Sequence, residues 1–248
     1  MGSMSTQRGA ARLDWTYGGK AYSAPLSASD VLTLAQAVDH EGAPQNGVLW
    51  ALVQRWAWLR SGGAGSNLVD AYPTLGGLVR AYAQPINPRW FPNGDLHLAR
   101  VRALEKAGRQ QAADWEREKA ERRPGYARQG WDDFKDSTVD TVGAWARGRL
   151  SNPVPGAVHY WAGSQRVSKD AHQAAKPSLP VVYYKGKKEN VFFGAANTHK
   201  TRRSWVKPVG AESYVQQGPM LAGMGGISSP AAAALVGVGL IWWFLQKT

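Results

Sequence analysis

The segment VLWALVQRWAWLR, ending at Arg60, is apolar on nearly every side of a helical wheel. A helix of that kind cannot lie on a surface; other elements must surround it. Just before it, Val31, Leu34, Ala35 and Val38 recur at helical spacing and form a single apolar face. That first helix is expected to open at Ser29-Asp30 and to end at His40-Glu41-Gly42, with Pro44 beyond as a stop. The second is expected to start near Asn46. A chain with one wholly apolar helix next to an amphipathic one is constrained to a helical core with several covering elements.

Further elements follow the same patterning. SGGAGSN at 61–67 reads as a loop, Leu75–Tyr82 as a third helix, and QPINPRWFPNG as a Pro-rich ordered loop. Leu96 to Arg123 reads as one polar, charged helix whose large apolar anchor is Trp115, with Glu and Arg/Lys spaced to pair across a solvated face. Trp131 to Leu150 reads as an amphipathic helix with Phe134, Val139, Val142, Trp145 and Ala146 as its apolar set. SNPVPGAVHYW is a turn leading into a strand. VVYYKG at 181–186 and NVFFGA at 190–195 are two more short strands. Residues 1–26 read as an irregular lead-in with a short strand near Leu13 to Tyr17.

The C-terminus has a different character. After Glu212 the next charged residue is Lys247, and Ser229-Pro230 opens the run AAAALVGVGLIWWFL. Ser229 suits an N-cap and Pro230 the first helical position. Residues 230–245 would rise about 24 Å, slightly less than a hydrocarbon core of about 30 Å. Extending the run back toward Met220 closes the gap, and Trp242 and Trp243 would sit at an interface. The expectation is a membrane helix at 229–246 after a Gly-rich linker at 208–228. The N-terminal residues have no apolar stretch of the kind that begins a secretory signal, so none is expected.

Composition narrows the partners. The chain has 248 residues, no Cys, 30 Lys and Arg against 18 Asp and Glu, and a net charge of +12. Thiol nucleophiles, disulfides and thiolate metal sites are excluded. An anionic partner is favoured: wall polymer, anionic lipid or nucleic acid. Residues 164–207 carry ten Lys/Arg and two acids. Nucleic-acid binding there would need stacking aromatics among the cations; Tyr183, Tyr184, Phe192, Phe193 and Trp205 meet this loosely, so that reading is not the favoured one. Five scattered His with no carboxylate spacing to match support no metal site, and no cofactor is expected.

Glu41 carries the chemistry best. It ends an apolar helix, beside a glycine and a Trp-rich second helix. Desolvation there would raise its pKa and keep it protonated near neutrality, as a general acid must be. The stretch LAQAVDHEGAPQNGVLWALVQRW around it resembles the signature of the SleB-like cell wall hydrolase family, which includes spore cortex-lytic enzymes. Three more blocks follow in that family's order: VRAYAQPINPRW, NPVPGAVHYW and ENVFFGA, together spanning about residues 29–200. The chain differs in having the single acid Glu41 where the family commonly has two, and Asn190 where a His is usual. The charged stretch at 96–128 looks like an insertion.

The resemblance implies an α+β, mainly α fold: a lysozyme-like catalytic domain over 27–207 with a small antiparallel sheet. It also implies cleavage of the glycan strands of peptidoglycan. A glycosidase needs two carboxylates at a defined separation, and Asp39 and Asp70 are the nearest candidates for a second. A lytic transglycosylase needs only Glu41. Tyr82, Gln84, Trp90, His159 and Tyr160 are the expected saccharide contacts, although Tyr82 and Tyr160 suit a core position equally well and Trp90 suits a loop pin. The whole then reads as a membrane-tethered peptidoglycan-cleaving enzyme, at a bacterial inner membrane or in a phage particle among virion or envelope proteins. The alternative is a membrane-anchored structural protein that binds DNA or wall through 164–207.

Overall fold

Ser27 opens the first helix two residues earlier than expected. Its hydroxyl accepts from the Asp30 backbone N–H at 3.1 Å, and the Asp30 carboxylate accepts from the Ser27 N–H at 2.9 Å. This reciprocal capping box satisfies backbone donors that would otherwise be orphaned. The buried Asp30 also takes the Gly76 N–H at 2.7 Å, so one carboxylate fixes two helix starts. In the computed structural model, residues 11–162, 181–183, 190–195 and 206–215 are described. All of these belong to one compact unit, Met1–Gln216; a second unit, Gln217–Thr248, lies outside them and contains the expected membrane segment. Among the described residues no helix is long and apolar enough to cross a membrane.

The described helices are α1 (Ala28–His40), α2 (Gln45–Arg60), α3 (Leu75–Tyr82), α4 (Asp95–Lys106), α5 (Gln110–Tyr126) and α6 (Asp136–Ala146). The strands are β1 (Arg12–Tyr17), β2 (Lys20–Pro25), β3 (His159–Ala162), β4 (Val181–Tyr183), β5 (Asn190–Phe193) and β6 (Lys207–Val209). The architecture is α+β, mainly α, with two three-stranded antiparallel sheets ordered β2-β1-β6 and β3-β5-β4. As its wheel demands, α2 is enclosed: Val48, Leu49, Leu52, Val53 and Trp56 are each at most 1% exposed. Strands β3 and β5 pack against it. Gly47 makes that contact close, because a Cβ there would lie 2.7 Å from the Phe192 ring.

Several expectations are corrected. The lead-in is not irregular beyond one strand. Leu13, Trp15 and Tyr17 alternate inward along β1, as a strand with one buried face requires. β1 turns through Gly18 and Gly19, both at positive φ, into β2. It also pairs with β6. Residues 208–215, expected to begin the linker, are therefore folded: Ala211 and Val215 are buried in the core.

The charged stretch is two helices rather than one, broken at Gly108 with φ 66°. Its anchor is not Trp115, which is 57% exposed with the Lys119 ammonium 3.6 Å from its ring centroid. Val101, Leu104 and Ala113 make the contact between α4 and α5 instead. These aliphatic side chains fill the contact between the two helices, and Trp115 lies outside it. The expected surface pairs are present, with Arg117 bonded to Glu105 and Asp114, and Arg122 to Glu118. The helix expected over 131–150 is shorter: Trp131–Asp133 is a single 3-10 turn, and α6 follows.

Candidate functional site

Glu41 is the C-cap of α1, where the chain leaves the helix in an extended conformation and turns through Gly42 and Ala43 into α2. Asn190, first residue of β5, holds that turn. Its backbone N–H donates to the Ala43 carbonyl at 2.9 Å, and its side-chain amide donates to the Gly42 carbonyl at 2.9 Å. Asn190 thus uses both its backbone and its amide to clamp the loop beside the acid.

The Tyr160 hydroxyl on β3 donates to Glu41 Oε1 at 3.0 Å. The backbone N–H of Gln84, just past α3, also faces the carboxyl, and the Arg123 charge acts on it. Desolvation outweighs all three and pushes the Glu41 pKa up to about 7. Withdrawal from water favours the protonated form, while the donors on the carboxyl favour the carboxylate and lose. Burial, then the neighbouring Glu41 charge, also raises the Tyr160 phenol, so it remains a donor. Gly42, Ala43, Tyr82 and Gln84 are exposed beside the acid, which opens the site to a large substrate.

Arg55, on the turn of α2 nearest β3, completes the group. Its Nη1 donates to the Val158 carbonyl at 2.9 Å and bonds Nδ1 of His159 at 2.5 Å. Its guanidinium carbon lies 3.5 Å from the Tyr82 ring centroid. The Tyr72 and Tyr82 rings meet edge to face at 5.8 Å. The preceding residue, Gln54, is structural. Its amide donates to the Val154 and Ala157 carbonyls and accepts from Asn152 and the Gly156 N–H, which fixes the turn that delivers β3.

Of the expected site residues, Glu41, Tyr160 and Gln84 are brought together, although Gln84 contributes its backbone. Tyr82 and His159 flank Arg55. Trp90 is joined to the group only through Arg123, whose Nη1 donates to the Trp90 carbonyl at 2.8 Å. Neither candidate for a second carboxylate is available. Asp39 is 4% exposed, accepts from the Lys135 N–H at 3.1 Å and the Thr138 hydroxyl at 2.7 Å, and so caps α6. Asp70 is exposed and pairs with Arg60 at 3.0 Å. Among the described residues no group of three metal-ligating side chains occurs.

From sequence alone, Arg55, Arg123 and Asn190 receive no role in the site, although Asn190 stands out as a departure from the resembled pattern. Arg55 had a signal: an Arg on a helix otherwise apolar all round is the informative exception. Arg123 had little, because Glu116 two turns earlier on α5 reads as one more charge on a charged helix and the Trp90 carbonyl is reached only through tertiary contact. Compared with known proteins, the chain matches no family model, no curated sequence and no solved structure.

Proposed function

We propose that this domain cleaves the glycan strands of peptidoglycan, with Glu41 as general acid and then general base. The observation that carries this reading is a glutamic acid held half-protonated near pH 7, with a phenol hydroxyl on one oxygen and an exposed loop beside it. A general acid works best when its pKa lies near the working pH. Glu41 donates its proton to the oxygen that links N-acetylmuramic acid to N-acetylglucosamine, and the bond from that oxygen to the muramic C1 breaks. The Glu41 carboxylate, stabilised by Tyr160 and Gln84, then takes the proton of the muramic C6 hydroxyl. O6 closes on C1, a 1,6-anhydro sugar leaves, and Glu41 is protonated again. This sequence consumes no water and needs no second carboxylate, which agrees with the structural employment of Asp39 and Asp70.

The net charge of +12 suits an anionic wall polymer. The apolar run at 229–246 would tether the enzyme to a membrane, either a bacterial inner membrane or that of a virion or host envelope. The test is digestion of purified peptidoglycan by the full chain, with product masses read by mass spectrometry. Anhydro-muropeptides are expected. Products with only reducing ends would replace the intramolecular step by hydrolysis. No released product would contradict the reading and favour the alternative of an anchored protein that binds DNA or wall through its basic stretch.

A further inference from the structure

A guanidinium has five N–H donors and no acceptor. Whatever nitrogen lies against it must therefore present a lone pair. Arg55 Nη1 lies 2.5 Å from Nδ1 of His159, so that nitrogen carries no proton. The imidazole is then neutral, with its hydrogen on Nε2. Arg55 itself is tightly committed. It donates to the Val158 carbonyl, lies under the Tyr82 ring, and keeps Nε buried without a hydrogen-bond partner. Among the described residues its charge is matched by no carboxylate ion pair. A buried cation costs several kcal/mol unless good acceptors meet it. Here the acceptors include one backbone carbonyl and one imidazole nitrogen, both at the entry to β3, with the Tyr82 side chain as a further partner.

The position of those acceptors gives the arrangement its consequence. Val158 and His159 immediately precede Tyr160, whose hydroxyl reaches Glu41. The Val158 N–H is bonded to the Phe193 carbonyl on β5 at 2.9 Å. The strand entry is thus held by the sheet on one side and by Arg55 on the other. The Trp58 ring meets the His159 ring edge-on at 6.3 Å.

We propose that Arg55 and His159 form a positioning lock: Arg55 holds His159 as its neutral Nε2–H tautomer, and the locked pair fixes the start of β3 so that the Tyr160 hydroxyl stays on Glu41. His159 is then a positioning residue rather than the saccharide contact expected from sequence. The catalytic consequence rests on the reading of Glu41 as the acid; the tautomer does not.

The experiment has two arms. The first uses the full chain in detergent with 15N-labelled histidine at pH 7.5. Long-range proton–nitrogen correlations distinguish the two tautomers and the imidazolium, and the His159→Asn variant assigns the signal among the five histidines. A pure Nε2–H pattern is expected, averaging toward a tautomer mixture in Arg55→Met. An Nδ1–H pattern or an imidazolium in the unmodified chain would overturn the lock.

The second arm measures glycan cleavage. Asn places an amide oxygen close to where Nδ1 stood, so His159→Asn should rescue kcat to within about 3-fold, whereas His159→Leu should lower it about 10-fold or more at unchanged KM, because small displacements of reacting groups are costly. Equal rates for Asn and Leu would overturn the positioning role. If Arg55→Met does not fold, the unmodified chain and the two His159 variants still decide. If the unmodified chain cleaves no glycan, the reading of Glu41 fails, and the tautomer measurement still decides the lock.

Discussion

Helices α1 and α2 meet at a corner lined by apolar side chains, with Glu41 at its edge; α4 and α5 meet along Val101, Leu104 and Ala113 and share four ion pairs among their own described residues. At the first corner charge is suppressed. Glu41 loses its water, which outweighs the donors on its carboxyl, so its proton is retained to about pH 7. In the hairpin charge is kept and matched. Glu116 and Arg123, 7% and 4% exposed, lie 3.3 Å apart, and the guanidinium also holds the Trp90 carbonyl. The two regions communicate, because the Arg123 charge draws the Glu41 pKa downward against its burial. The hairpin looks like a solvated insertion from sequence, yet it supplies a charge that tunes the acid. It is also docked on α1: the Gln36 amide donates to the Gln129 carbonyl at 2.9 Å, and His40 stacks on Tyr126 at 3.7 Å.

The comparison can be broken first at the acid. Glu41→Gln keeps the shape and removes the proton, so kcat for glycan cleavage should fall about 10²–10⁴-fold, with circular dichroism unchanged. The hairpin is broken by Arg123→Met, which leaves Glu116 buried without its partner. Denaturant unfolding should show a loss of about 3–5 kcal/mol. In the surviving folded protein the Glu41 titration should move upward, because an attractive charge has gone.

Stability against pH sharpens the contrast. The Glu41 pKa is raised from its ordinary 4.5 to about 7, so between those values the folded state holds more protons than the unfolded. Its contribution is therefore full below about pH 4.5, declines as pH rises through 7, and is lost above that. Glu41→Gln should abolish this decline, and above pH 7 it should be more stable than the unmodified chain by up to about 3 kcal/mol. Tyr160→Phe should cost about 1 kcal/mol in the same assay, and it should raise the Glu41 titration further, because the phenol favours the carboxylate. The smallest effect belongs to Trp115→Ala. This side chain is mostly exposed, and its loss should stay within about 0.5 kcal/mol.

The α1–α2 corner was legible because its signals are local. Periodicity marks both helices, the small-residue loop marks the turn, and Glu41 stands where they meet. Tyr160 and Gln84 reach Glu41 from far along the chain, and no short-range pattern places them there. The hairpin is hard to read from sequence because a single glycine in a helical pattern is a weak break, and because the bulk of Trp115 does not bring burial. Aliphatic residues at Val101, Leu104 and Ala113 fill the contact instead. The pairing of β1 with β6 joins residues almost two hundred positions apart, and no short-range pattern encodes it. Arg123 gains its role only through the Trp90 carbonyl and Glu116, so the sequence around it reads as ordinary surface charge.

The role of Glu41 as the acid depends on its protonation, and a titration of its carboxyl carbon measures that directly. With 13C-labelled glutamate in the full chain, and Glu41→Gln to assign the signal, its chemical shift would be followed from pH 4 to 9. A midpoint near 7 is expected, and a higher one in Tyr160→Phe. A midpoint near 4.5, unmoved by Tyr160→Phe, would mean that Glu41 is an ordinary solvated carboxylate, and would contradict its role as the acid.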